Sequence, residues 1–258
     1  MQAAELQCVP DIIQTALDVV TTAVRAAVAQ RGRASIALAG GSTPLPLYRL
    51  LAREELPWER IHVLWGDERF VAIDDPASNA GAAMTALLDR VPIPESHIHT
   101  WPILDTPEAS AAAYQGEIEL ALGASPVLDV TLLGLGDDGH TASLFPGSGA
   151  ALRTEFTLAT KAPDGLSVRD RLTLGPTALG RSRLVMFLVS GAAKRPALTA
   201  TFGPDAPALE LRWPLDPATA LELDAHPARS VTALERLLVV ADPAACGEGG
   251  KSPSRPKR

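Results

Sequence analysis

The sequence predicts an α/β fold, a Rossmann-like doubly wound and mostly parallel sheet flanked by helices. Three observations carry this reading. Short apolar runs such as SIALAG (35–40), IHVLW (61–65) and LVMFLV (184–189) have the length of buried strands. Longer segments with apolar residues at helical spacing alternate with them, as crossover connections require. Glycine-containing turns (GGSTP, GDER, GDDGH, SGAAK) follow the strands, which places polar chemistry at the carboxyl edge, where open α/β sheets bind ligands.

In chain order, Ile12, Ile13, Ala16, Leu17, Val20, Val24 and Val28 mark a helix over residues 11–30, with Gly32 as its stop. SIALAG is the first strand; in the following turn Thr43 caps and Pro44 opens a helix carrying Leu47, Leu50 and Leu51. Residues 61–65 form the next strand and lead into GDERF. Ser78 or Asn79 caps a helix through Met84, Leu87 and Leu88, which Pro92 and Pro94 close. A further helix spans residues 107–122, and a buried strand starts at Leu128. Strands follow at 156–161, 171–174 and 184–189. Ser190 starts a helix that Pro196 interrupts, residues 202–228 read as proline-punctuated loops around a short helix, and 237–240 is the last strand. The expected organisation is a single α/β domain over residues 1–246, followed by a disordered Gly/Pro/Lys/Arg tail at 247–258.

The chain has 258 residues, enough for a substantial core, with 47% hydrophobic and 21% charged residues. Its net charge of −7 provides no general attraction to nucleic acid or to an anionic membrane, so an anionic ligand requires local cations. Cys8 and Cys246 match neither a metal spacing nor a disulfide framework, which points to a reducing compartment. The amino terminus lacks a basic region followed by an apolar signal core, and no uninterrupted apolar run approaches the roughly 20 residues of a membrane span. A cytoplasmic protein is expected.

The densest segment is DVTLLGLGDDGHTASLFPG (129–147), where a buried strand runs into glycines, Asp137, Asp138 and His140. A histidine beside carboxylates suits proton transfer from water, because a carboxylate fixes the tautomer and stabilises the imidazolium. GGSTP offers converging backbone N–H groups and two hydroxyls to a phosphate, while Arg171 and Lys194 supply cations after other turns. GDER groups Asp67, Glu68 and Arg69 just beyond a strand. His62 reads as packed, and His97, His99 and His226 have no visible partners. There is no G-x-S-x-G elbow and no histidine set at metal spacing. Gly134-Leu135-Gly136-Asp137-Asp138-Gly139 formally satisfies G-x-G-x-x-G, but two aspartates would face the pyrophosphate, which disfavours a dinucleotide site.

In their order, AGGSTPLPLY, WGDERFV with SNAG, LLGLGDDGHTASLFPG, RLTLGPTAL and VSGAAKRPAL closely resemble the 6-phosphogluconolactonases over residues 35–200. The resemblance implies metal-independent hydrolysis of 6-phospho-D-glucono-1,5-lactone to 6-phosphogluconate in the oxidative pentose phosphate pathway. His140 would be the base that activates water, and Arg69 and Lys194 would line the site. Glucosamine-6-phosphate isomerases are similar in the glycine turn and DGH, but carry a glutamate where this chain has Phe145, which argues against isomerisation. PATAL (217–221) and VVADPAA (239–245) match the family's closing segments loosely.

The expected arrangement seats the phosphate against Gly40, Gly41, Ser42 and Thr43, with Asn79 beside the turn and Arg171 and Lys194 neutralising charge. Neutral His140, oriented by Asp138 or Asp67, deprotonates the attacking water, and Arg69 or a backbone N–H of the 136–139 turn stabilises the oxyanion. No cofactor and no metal are expected. The expected partner is a phosphorylated sugar lactone, with no nucleic acid or membrane, acting on a monomer or at most a weak dimer. The alternatives are a non-catalytic sugar-phosphate-binding protein and an amino-sugar phosphate isomerase.

Overall fold

Local sequence sets the first elements. The computed structural model describes residues 4–204, 206 and 214–247. It opens with a strand that the sequence pattern did not reveal, β1 (Glu5–Cys8). Helix α1 (Ile12–Arg31) starts where the Asp11 carboxylate accepts the N–H groups of Ile13 and Gln14, and it ends at Gly32 with φ 75°. By length and composition α1 is apolar enough to cross a bilayer, but its stripe of Ile12, Ala16, Leu17, Val20 and Val24 is buried, and it packs on the sheet.

Strand β2 (Ala34–Leu38) is buried throughout, and α2 (Leu45–Leu51) follows the glycine turn. The expected Thr43 cap does not form: Pro44 occupies the cap position with no side-chain bond. Tyr48 fixes this turn instead, its hydroxyl donating to the Ala39 carbonyl (2.7 Å) and accepting the Ala39 N–H (2.9 Å). Strand β3 (Ile61–Trp65) leads within two residues to β4 (Asp67–Arg69), so GDER is a strand rather than a turn. Ser78 caps α3 (Asn79–Ala86), and Thr106 caps α4 (Pro107–Leu122). After β5 (Leu128–Gly134) come β6 (Thr157–Lys161), β7 (Asp170–Leu174), α5 (Pro176–Gly180) and β8 (Ser182–Val189). In α6 (Arg195–Phe202), Pro196 lies in the first turn, where its missing N–H costs nothing; it begins the helix rather than interrupting it. Helix α7 (Pro217–Ala225), β9 (Arg236–Ala241) and α8 (Pro243–Cys246) follow; of the expected tail at 247–258, Gly247 caps α8 and the rest lies outside the described residues.

The main sheet has six strands in the order β1-β9-β8-β5-β2-β3, all paired parallel. A second sheet, β4-β7-β6, is antiparallel and was not anticipated. Crossovers run outward from β2 to β3 on one side and from β5 through β8 and β9 on the other. The crevice between the carboxyl ends of β2 and β5 is therefore the topological switch point. Val130, Leu132, Val185, Met186, Phe187, Val239 and Val240 fill the centre of the core, each side chain contributing about 1.5–3 kcal/mol by its burial.

The reading of the cysteines is overturned. Cys8 and Cys246 form a disulfide, with Cα atoms 6.2 Å apart. Their separation of 238 residues hides this in the sequence; the parallel pairing of β1 with β9 brings the two ends together.

Candidate active site

The loops that leave β2, β3 and β5 at the switch point line a cleft of about 400 Å³. Gly40, Gly41, Ser42 and Thr43 form one wall, Asp67, Arg69 and Asn79 another, and Gly136, His140 and Lys194 the third. Nine of the expected site residues thus meet in one place; Asp138 and Arg171 are not among its lining residues.

His140 is placed by its own turn. Its ring Nδ1 lies 2.6 Å from Asp138 Oδ1, and the same oxygen accepts the His140 N–H at 3.0 Å. This contact with the ring draws the Asp138 pKa down to about 2. Asp138 is therefore a carboxylate at neutral pH, which fixes Nδ1 as the protonated nitrogen and leaves Nε2 as the available base. Close packing makes the turn possible, since a Cβ on Gly136 would lie 2.1 Å from His140 Nδ1. The strain is stored next door, where Ala142 adopts φ 48° while lining the cleft.

Asp67 has a different task from the one considered for it. Its carboxylate accepts from Ser143 Oγ at 2.7 Å and lies 3.3 Å from Asn79 Nδ2, so it ties β4 to the turn after His140 rather than orienting the imidazole. Asn79 in turn requires Gly40, because a Cβ there would sit 2.0 Å from Asn79 Oδ1. Glu68 is the buried hub of this wall. It accepts the N–H groups of Arg69, Asn79 and Ala80 and the Ser78 hydroxyl, while burial raises its pKa. Ser143, Ala142 and the hub role of Glu68 escaped the sequence reading, although Ser143 lies only three residues beyond His140.

The cations differ from one another. Arg69 faces the cleft and donates to the Ala77 carbonyl. Arg171 is its antiparallel register partner and does not line the cleft; it is 7% exposed, with a buried Nη1 that has no hydrogen-bond partner among the described residues. Burial and then the Arg69 charge lower its pKa. Lys194 lines the cleft with Ser190 and pairs with Asp137 at 2.7 Å, so Asp137 serves the lysine while Asp138 serves the histidine. Phe145 packs 4.9 Å from the His140 ring. Among the described residues no group of three or more histidine, cysteine or carboxylate side chains is arranged to hold a metal ion.

His62 is packed, as its sequence context suggests, but His97 and His99 have partners that the sequence did not show. The three stack together at the opposite edge of the sheet, with His62 Nδ1 3.0 Å from His99 Nε2 and His99 Nδ1 3.2 Å from Glu117.

A sequence model of the family described as glucosamine-6-phosphate isomerases/6-phosphogluconolactonase matches residues 9–228. Among curated proteins, the chain is 45% identical over 221 residues to 6-phosphogluconolactonase from Synechocystis, covering 80% of this chain and 91% of that one. It is 44% identical over 237 residues to 6-phosphogluconolactonase from Nostoc, covering 84% and 98%. Among solved structures, 6-phosphogluconolactonase from Thermotoga maritima superposes with a TM-score of 0.78 at 28% identity, covering 93% of this chain and 99% of that one.

Proposed function

This chain belongs to the glucosamine-6-phosphate isomerase/6-phosphogluconolactonase family, and from that premise we propose that it hydrolyses 6-phospho-D-glucono-1,5-lactone to 6-phosphogluconate, a step of the oxidative pentose phosphate pathway. The observation that carries the mechanism is the Asp138–His140 pair at 2.6 Å on the rim of the cleft. The lactone carbonyl is already activated, so one positioned base is enough to start the reaction. His140 Nε2 takes a proton from water as it attacks C1. The tetrahedral oxyanion is met by Arg69 or by an N–H of the 136–139 turn, and the imidazolium returns its proton to the departing ring oxygen. Asp138 offsets the positive charge that His140 carries between the two transfers.

The phosphate, remote from the reacting carbon, lies against residues 40–43 with Lys194 as its cation and Arg171 adding positive potential from behind Arg69. Lys194 then exchanges Asp137 for the phosphate. Phe145 leaves no second carboxylate beside the imidazole for ring opening and enolisation, which supports hydrolysis over aldose–ketose isomerisation. Residues 1–246 act as one unit in this reading.

The test is the hydrolysis rate of freshly generated lactone with the protein, with His140→Ala and without protein. Acceleration by the protein, and a loss of roughly 10²–10⁴-fold in a folded variant, are expected. A rate equal to the spontaneous background refutes the reaction. A flat rate from about pH 5 to 8 refutes the base.

A further inference from the structure

The Cys8–Cys246 bond closes a path that ends at Lys194. Helix α8 spans only four residues, too few to persist unaided, and it is held at both ends. At its start, the Asp242 carboxylate accepts from Ala245 N (2.7 Å), Ser190 Oγ (2.6 Å) and Gly191 N (3.0 Å). Arg195 Nη2 also donates to the Ala244 carbonyl at 3.1 Å. At its end, Cys246 is bridged to β1. The segment held by Asp242 and Ala244 is Ser190–Arg195, which presents Lys194 to the cleft and whose Ser190 lines it.

We propose that Cys8 and Cys246 form a reversible thiol–disulfide site whose oxidation holds the 190–195 loop in place and so sets how tightly Lys194 engages the phosphorylated substrate. The inference rests on the lactonase reading for its substrate and on the α8 contacts for its mechanics. An external dithiol opens the site: one thiolate attacks a bridge sulfur to give a mixed disulfide, and the second thiol resolves it. Two electrons and two protons pass to Cys8 and Cys246, and the reagent leaves as its own disulfide. Without the bridge, the last turn of α8 frays, Asp242 loses the N–H of Ala245, and its hold on Ser190 and Gly191 weakens. The path touches the 136–140 turn through the Lys194–Asp137 pair, whereas His140 is placed by Asp138, so the chemical step changes less than binding.

Thiol titration of the unfolded protein, before and after dithiothreitol, establishes the redox state, and kinetics are then compared in both states. Reduction is expected to raise KM threefold to tenfold with kcat changed less than twofold. The Cys8→Ser/Cys246→Ser protein is expected to show the raised KM in both conditions. In Lys194→Met the redox effect on KM is expected to vanish, whereas general loosening of the fold would persist there. Amide exchange at 190–195 is expected to quicken at least tenfold on reduction and does not depend on turnover. An unchanged KM, an effect undiminished in Lys194→Met, or thiols that never close under oxidant overturns the proposal. If no form hydrolyses the lactone, the lactonase reading fails by itself, and unchanged exchange at 190–195 would overturn the clamp independently.

Discussion

The two edges of the main sheet carry similar charged residues put to opposite uses. At the amino edge, Asp129 is buried and its carboxylate is saturated by Arg31 Nη2 (2.8 Å), Ser35 N (2.8 Å) and the Ser35 hydroxyl. Arg33 is spent on the carbonyls of Ala121 and Leu122, which close α4. At the carboxyl edge, among the described residues, Asp138 is half exposed and serves one imidazole, Lys194 has a single exchangeable partner, and Arg171 keeps a buried nitrogen without any. Charge placed at a strand end is structural where neighbours consume its bonding capacity and is available for chemistry where they do not. Residue type alone does not separate the two cases.

The same substitution at both edges is the strongest way to break this contrast. Asp138→Asn removes the charge that holds the His140 tautomer, and kcat should fall roughly 10²-fold with stability nearly unchanged, because the site is open to solvent. Asp129→Asn removes a buried charge from between Arg31 and the Ser35 donors. It should cost about 2–3 kcal/mol in urea denaturation while kcat stays within twofold. A folded Asp129→Asn enzyme with crippled kcat would show the edges to be coupled, and the comparison would fail.

A smaller effect sharpens the same contrast. Lys194→Ala should raise KM for the phosphorylated lactone about tenfold through loss of a charge-assisted contact. Against 1,5-gluconolactone, which lacks the phosphate, Lys194→Ala should change the rate less than twofold. Arg33→Gln, at the other edge, should leave both KM values alone.

The site was more legible than its support. Strand-then-glycine patterns mark switch-point turns because the backbone demands them, so residues 40–43 and 134–140 were readable in one dimension. GDER looked like a turn because three charged residues oppose burial. In the fold, β4 is stabilised by its antiparallel partner β7, about a hundred residues away in sequence, and by the α3 backbone donors on Glu68. Strand β1 has only four residues, and β9, its parallel partner, stands at the far end of the chain. The disulfide and the histidine stack share that property: contacts between distant residues leave no local period. Thr43 failed as a cap for a local reason: Pro46, three residues on, has no N–H to donate to its hydroxyl.

The smallest effect lies in the histidine stack and concerns pH. Burial first, then the His97, His99 and Arg33 charges, push the His62 pKa down to about 4, from an ordinary value near 6.5. Glu117 faces His99 rather than His62 and does not reverse this. Between those two values the unfolded chain takes up a proton that the folded chain refuses, so stability rises with pH across that window. The contribution is complete above pH 6.5, shrinks as pH falls towards 4, and does not change further below. Asp138 is shifted in the same direction but in another window: its folded value of about 2 lies below its ordinary 3.8, so its contribution is lost only under stronger acid and is constant across the His62 window. Because the His62 ring is partly exposed, screening limits its effect to about 1 kcal/mol, a shift of a few degrees in Tm. His62→Gln should therefore flatten the Tm profile between pH 6.5 and 4 relative to the unaltered protein, while Asp138→Asn leaves that slope intact. Equal slopes in the unaltered and His62→Gln proteins would mean that the stack accepts its proton without cost, and the amino edge would then be less closed than its hydrogen bonds require.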